Sequence, residues 1–271
     1  MAARAGEQAA RSSVWLGGGT RRGRGGGQPS GLDRDRITAA TVRLLDAEGL
    51  DRFSMRRLAA DLHVTAMSVY WYVDTKDELL ELALDEVFGE PALPGPDDGA
   101  ADWRDLLRAL AREYRALLVR HPWVPPLIGR YLNIGPNSLA FSRAIHQVVR
   151  RAGLPVHGIT GAISAVFQFV YGYGTIQGHF MSRVAEAGVT PDEYHAQMMA
   201  SVGGTPDTAA VIEETRDIMD ARGGATVDEM LDRDFTFALD LLVAGIEAMV
   251  ERSGPARDTG PLDDGPDRPP A

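Results

Sequence analysis

The sequence predicts an all-α protein built from a small N-terminal helix-turn-helix domain and a larger helical domain, and three observations predict it. Apolar residues recur at helical spacing from residue 32 to residue 252, and no strand-like alternation competes with them. The stretch from Ser54 to Leu80 reads as two short helices split by a four-residue turn, followed by the capped start of a third. The run EPALPGPDDGA from Glu90 carries three prolines, which break the helical pattern and divide the small unit from the large one.

Taken in order, residues 1–31 are crowded with Gly, Arg and small side chains and are expected to be a disordered arm in the absence of DNA. Ile37, Ala40, Leu44 and Leu45 mark one amphipathic helix that stops at Gly49, a residue suited to the left-handed turn that ends helices. Ser54 stands at the N-cap of the next helix, whose Met55, Leu58, Ala59 and Leu62 share one face while Arg56 and Arg57 stay outside. Thr65 caps a second helix of about two turns. Its Val69 and Val73 point inward, leaving Ala66, Met67, Ser68, Tyr70, Trp71 and Tyr72 for other faces. Thr75 with Glu78 three residues on is a capping box that starts a connecting helix at Lys76.

The first domain is therefore bounded at 32–90 and the second at 91–252, with a Pro-, Gly- and Asp-rich tail over 253–271. Helices are predicted at about Asp102 to Arg120, Pro136 to Ala152, Pro155 to Met181, Asp207 to Ala221 and Thr226 to Arg252. No apolar run approaches the roughly 20 residues that span a bilayer. The N-terminal arginines have no continuous apolar core beside them, so no signal peptide is read and a cytoplasmic protein is expected. The chain has no cysteine, which removes disulfides and cysteine-ligated metal centres and suits a reducing compartment. No cofactor and no metal site are expected.

The net charge of -10 argues against a nucleic-acid binder at first sight. From Leu32 to Lys76, however, the cations Arg34, Arg36, Arg43, Arg52, Arg56, Arg57 and Lys76 are matched by Asp33, Asp35, Asp46, Glu48, Asp51, Asp61 and Asp74, so the local charge is near neutral. Affinity for DNA depends on charges placed near phosphates rather than on the sum over the chain.

The run FSMRRLAADLHVTAMSVYWYVDTKDELLELAL resembles the DNA-binding domain of the tetracycline repressor (TetR) family, with Tyr70-Trp71-Tyr72-Val73 and Lys76 to Leu80 as its most specific words. The larger domain resembles the tetracycline-repressor subgroup through Trp103 with LLRALAREYRALL, through ISAVFQFVYGYG from Ile163 and through FALDLLVAGIEAMV from Phe237. Together these cover nearly all of residues 32–252. The resemblance implies a homodimer through 155–181 and 226–252, a double-stranded DNA operator and a small-molecule effector that releases the protein from it. Gly161, Ala165, Ala238, Ala244 and Gly245 permit close helix approach at such a dimer, although a monomeric core would look similar.

The second helix of the motif would enter the major groove. Ala66 and Met67 offer apolar contact to thymine methyls, and Ser68 a hydrogen bond of little selectivity. Arg56, matching a base-contacting arginine of the family, is the residue able to hold guanine through two hydrogen bonds. Tyr70, Tyr72, Thr75 and Lys76, assisted by Ser54, are assigned to phosphates. Trp71 is balanced between DNA contact and support of the core, the tyrosines could also be packing, and Arg56 could be a solvated charge. Where the family commonly has glycine in the turn this chain has His63, which must bear a positive φ if that backbone is kept. Arg21, Arg22 and Arg24 could enter a minor groove or be an inert flexible start.

Effector contact is assigned to Tyr114, Trp123, Tyr131, His146, Phe167, Gln168, Tyr171 and Gln177, each of which could equally be ordinary core or surface. Where tetracycline-binding members present a drug-contacting histidine, an asparagine, a phenylalanine and a metal-binding histidine, this chain has Ala92, Leu110, Tyr114 and Ile128. Only the aromatic survives, so neither the drug nor its metal is carried over and an apolar or aromatic effector is expected. The alternatives are an activator or architectural DNA-binding protein without effector, and a helical-bundle enzyme. The enzyme reading finds no HExxH, phosphate loop, GxSxG or cysteine nucleophile to support it.

Overall fold

The computed structural model describes residues 13–16, 31–95, 101–202 and 206–253. Among these the secondary structure is helical throughout: α1 (Arg34–Glu48), α2 (Met55–Asp61), α3 (Ala66–Tyr70), α4 (Lys76–Val87), α5 (Trp103–Arg120), α6 (Pro125–Ile128), α7 (Pro136–Arg150), α8 (Val156–Ala187), α9 (Pro191–Val202), α10 (Pro206–Glu214), α11 (Arg216–Arg222) and α12 (Val227–Ser253). Arg21, Arg22, Arg24 and most of the arm and tail lie outside the described residues.

The N-terminal helices end where their caps dictate. Asp33 accepts from the Arg36 N–H at 2.7 Å to open α1. Gly49 closes it at φ 78° and ψ 169°, a backbone region open essentially to glycine alone. Ile37, Ala40, Leu44, Leu45, Met55, Leu58, Ala59, Leu62, Val69 and Val73 are all buried, as their spacing predicts.

α4 is buried on nearly every side, including two acids, and joins the small domain to the large one through a continuous apolar core. Its Asp85 accepts from the Ser138 N–H at 2.9 Å and the Asn137 N–H at 3.3 Å, at the start of α7. Gly135, the N-cap of α7, offers no side chain of its own, and a Cβ there would collide with the Asp85 carboxylate. The cap of α7 is thus supplied by α4.

The other buried acid of α4, Glu81, corrects the expectation for the arm. Ser13 donates its hydroxyl to Glu81 at 2.6 Å and the Val14 N–H donates at 2.9 Å, while Val14 and Trp15 pack against the core. Residues 13–16 are therefore a docked strap. Low-complexity neighbours hide it, because one short apolar run, Val14 to Leu16, between an alanine-rich stretch and a glycine-rich one leaves no periodic signal.

In the larger domain α5 and α8 cross closely because Gly174 and Gly178 carry no Cβ: one built on Gly174 would meet the Leu118 side chain at 3.0 Å, and one on Gly178 the Leu118 carbonyl oxygen at 2.9 Å. α12 runs antiparallel to α5 and is laced to it by Arg104–Glu247, Arg108–Asp240 (2.8 Å) and Arg115–Asp232 (2.6 Å). The helix predicted over 207–221 is broken at Thr215 into α10 and α11, and α8 continues six residues past Met181 to a left-handed Gly188. α9 is an addition to the predicted helices; none of its residues is buried, so it lacks the apolar stripe that would reveal it.

By length and average composition alone α8 could cross a membrane, and 28% of its most apolar 18-residue window is buried within the chain. Its Gly, Tyr, Thr and Gln residues interrupt any continuous apolar run, yet the average stays high enough to pass. Its outward stripe, from Val156 through Ile176, and that of α12, through Phe237, Leu241 and Met249, leave large apolar side chains open.

Candidate nucleic-acid interface and effector cavities

The turn between α2 and α3 has the hydrogen bonding of a Schellman motif. The Val64 N–H donates to Ala59 at 2.9 Å and the His63 N–H to Ala60 at 3.1 Å, with His63 at φ 55° in the position that favours glycine. This geometry keeps α2 and α3 as separate rods. Ser54 caps α2 by accepting from the Arg57 N–H at 3.2 Å, and Thr65 caps α3 by accepting from the Ser68 N–H at 3.2 Å. Thr75 accepts from the Glu78 N–H at 3.0 Å, and Glu78 returns to the Asp74 N–H at 2.7 Å, so the capping box forms one residue upstream of its usual donor.

On the outer face these rods present Arg56, Met67, Tyr70 and Trp71 to solvent, Met67 at 69% and Trp71 at 70% exposure. A methionine this open on a helix of five residues, and a tryptophan this open at its C-cap, are not serving the core. Arg56 has no hydrogen bond or ion pair among the described residues, whereas the neighbouring Arg57 closes on Glu48 with Nε at 2.8 and 2.9 Å from its oxygens. Ala66 is half-buried against the core, and the Ser68 hydroxyl is shared with Thr65 at 2.9 Å. Tyr72 packs inward, its hydroxyl buried without a partner. The Lys76 ammonium donates to the Phe53 carbonyl at 2.8 Å and lies 5.2 Å from the Phe53 ring centroid.

The eight residues assigned to an effector are dispersed. Tyr114 and Phe167 join Phe88 and Phe141 in an aromatic cluster, with Tyr114 5.5 Å from Phe141 and 6.0 Å from Phe167 between ring centroids. Burial, with the Tyr171 hydroxyl as a lesser influence, pushes the Tyr114 phenol well above its ordinary range. Tyr171 donates to the Pro125 carbonyl at 3.1 Å, and Tyr131 to Asp77 at 3.0 Å, next to Arg130 on the same carboxylate at 2.8 Å. Trp123 donates its indole N–H to Asp46 at 2.7 Å, across the seam between the two domains. His146 and Gln168 face solvent.

Only Gln177 of that set lines the two cavities found beside α8. One, of about 460 Å³, lies between α5, α8 and α12 and is bordered by Arg115, Val119, Gln177 and Phe235. The second, of about 410 Å³, is enclosed by α8, α9, α11 and α12, with apolar walls from Ile176, Phe180, Met198, Val227 and Met230, and Arg183, His195 and Arg222 at its rim. Both fall in the size range of small-molecule sites. Gln177 lines both, and in the first it accepts at 2.7 Å from the buried Arg115, whose guanidinium lies 4.5 Å from the Phe235 ring and 5.3 Å from that of Tyr173.

Sequence reasoning misses this arginine, along with Glu81, Asp85 and the residues Asp46, Glu90 and His121 at the domain seam. Acids four apart inside the apolar run of α4 are a usable sign for the first pair, since a charge on a buried face needs a partner.

Comparison with known proteins gives a consistent result. Residues 37–83 match the pattern described as bacterial regulatory proteins, tetR family, and residues 95–250 match the tetracyclin repressor-like C-terminal domain. An HTH-type transcriptional regulator of Saccharopolyspora erythraea is 41% identical over 141 residues, spanning 52% of this chain and 59% of that protein. The HTH-type transcriptional repressor DrrR1 of Streptomyces coeruleorubidus is 33% identical over 225 residues, covering 81% of this chain and 78% of the relative. Among solved structures, the TetR family protein ActR of Streptomyces coelicolor in complex with actinorhodin superposes with a TM-score of 0.62 at 27% identity, covering 81% of this chain and 97% of ActR.

Proposed function

This chain belongs to the TetR family, as a DNA-binding transcriptional regulator with a ligand-binding C-terminal domain rather than an enzyme, and from that premise we propose that it is a dimeric repressor released from a palindromic operator by a small apolar or aromatic effector. The observation that carries this reading is the outer face of α2 and α3, where Arg56, Met67, Tyr70 and Trp71 stand open together. Arg56 reads guanine by a bidentate contact, Met67 and Ala66 meet thymine methyls, and Tyr70 and Trp71 lie along the sugar-phosphate backbone. Ser54, Ser68 and Thr75, each tied into a helix cap, and Lys76, held over Phe53, set the register. Tyr72 supports the face from behind.

The open apolar stripes of α8 and α12 support dimerisation through 155–181 and 226–252, which places two heads on successive half-sites. The two cavities that share Gln177 support an effector in the larger domain, and the structure of ActR in complex with actinorhodin offers a ligand-bound precedent within the family. Effector binding then acts as a population shift: it favours an arrangement of α4 that misplaces the heads, and by linkage DNA weakens effector binding by the same factor. Such a protein works in the cytoplasm, where its operator is.

A gel shift with palindromic fragments from the region upstream of the chain's own gene, repeated against a panel of polycyclic aromatic compounds, tests this. Retarded DNA that is released by one compound supports the reading. Absence of any specific fragment, or retention of DNA with a compound demonstrably bound, overturns it.

A further inference from the structure

α5 ends at His121, which is only 2% exposed and is wedged into the seam between the two domains. Its Nδ1 lies 2.6 Å from Asp46 of α1, and its Nε2 lies 3.2 and 3.1 Å from the two carboxylate oxygens of Glu90, just beyond α4. Trp123 adds an indole donor to the same Asp46 oxygen at 2.7 Å. Arg120, one residue before the histidine, pairs with Glu90 from the outside. Asp46, Glu90 and Arg120 are thus the charged groups around the ring, from α1, the end of α4 and α5 respectively; Trp123, in the turn leading to α6, brings none.

A neutral imidazole has one N–H, so with carboxylates at both nitrogens it must point a lone pair at one of them. Only the imidazolium donates on both sides. We propose that His121, which rests its role on the DNA-binding reading above, is the positioning residue that holds the head against the effector domain: in its doubly protonated form it ties Asp46 and Glu90 together and fixes the orientation in which α3 meets the operator.

Burial opposes charge on this ring most strongly, but hydrogen bonds to Asp46 and Glu90 and then their charges outweigh it and carry the pKa above the ordinary 6.5. A raised folded-state pKa means that the clamp is complete below 6.5 and is lost as pH climbs through the raised value. Operator affinity should follow it, falling on the alkaline side.

The test uses the full chain and an operator fragment from the upstream region, titrated by fluorescence anisotropy between pH 5.5 and 8.5 at constant salt. Affinity is expected to fall about three- to tenfold across the imidazole range, tenfold corresponding to one unit of linked pKa. Glu90→Gln is the decisive variant: its amide donates to the lone pair on Nε2 while the Nδ1 proton stays on Asp46, so the neutral ring completes the clamp and the pH profile flattens. A merely structural histidine would leave the profile of Glu90→Gln like that of the wild type, and that result overturns the proposal. Asp46→Asn makes the mirror-image test should Glu90→Gln not fold. In the free protein, imidazole nitrogen NMR should show His121 titrating above 6.5 and moving down in Glu90→Gln; a ring neutral at pH 6 overturns the proposal independently of DNA. Failure of the wild type to bind any fragment at any pH would instead bring down the DNA-binding reading, and this proposal with it.

Discussion

The Ser13 hydroxyl and the Glu81 carboxylate meet at 2.6 Å across 68 residues of sequence, and Glu81, which also accepts from the Val14 N–H, is only 2% exposed. A buried carboxylate without donors is costly, so the strap belongs to the fold rather than hanging from it. Ser13→Ala should lower unfolding free energy by about 1.5–3 kcal/mol, the range for hydrogen bonds to charged groups. Urea denaturation measures it, and an unchanged midpoint would show that the strap contributes nothing.

Arg56→Ala should relax preference at one base pair of each half-site, costing about 1–3 kcal/mol of discrimination there. Binding-site selection with randomised operators reads this out. Trp71→Ala, by contrast, should weaken all sequences alike, because a backbone contact carries no base information. If Arg56→Ala selects the same consensus as the wild type, the arginine does not read a base.

His63→Gly should stabilise the head by about 1 kcal/mol, since a side chain in the left-handed region costs roughly 1–2 kcal/mol and glycine loses some of that gain to the entropy of the unfolded chain. Thermal unfolding of the variant checks this. A fall in stability would mean that His63 makes a compensating contact.

Gly178→Ala would push a methyl against the Leu118 carbonyl oxygen, where a Cβ has only 2.9 Å. Backbone cannot give way as a flexible side chain can, so α5 and α8 must separate, at about 1–3 kcal/mol. Circular dichroism melts should show the loss.

Phe237→Glu with Leu241→Glu should turn a dimer into a monomer in sedimentation velocity while the helical content persists. Phe237 is 68% exposed in the single chain, so its removal takes nothing from the intramolecular core. A wild type that sediments as a monomer at micromolar concentration would refute the dimer.

Local signals carry the small domain. Caps at Ser54, Thr65 and Thr75, the inward spacing of Leu58, Val69 and Val73, and the positive φ at His63 are each dictated within a few residues, and each is readable without knowledge of the fold. The larger domain is legible as helices but not as a site. Tyr114 and Phe167 have the composition of a pocket wall and stand against Phe88 and Phe141, and aromatic residues at helical spacing look alike whether they face a cavity or each other. What escapes altogether is long-range polar pairing: Asp46 with His121, Asp85 with the start of α7, Ser13 with Glu81. Such pairs have no period, and only the incongruity of an acid in an apolar run announces them.

The carboxylate that α4 lends to the first turn of α7 has a mechanical consequence. A helix that borrows its N-terminal stabilisation from a neighbour resists any twist of that neighbour, because rotating Asp85 away strips the Ser138 and Asn137 amides of their acceptor, and losing a cap costs about 1 kcal/mol. With no side chain at Gly135, the Asp85 carboxylate sits directly against the start of α7, so α4 and α7 cannot turn past one another without breaking that cap.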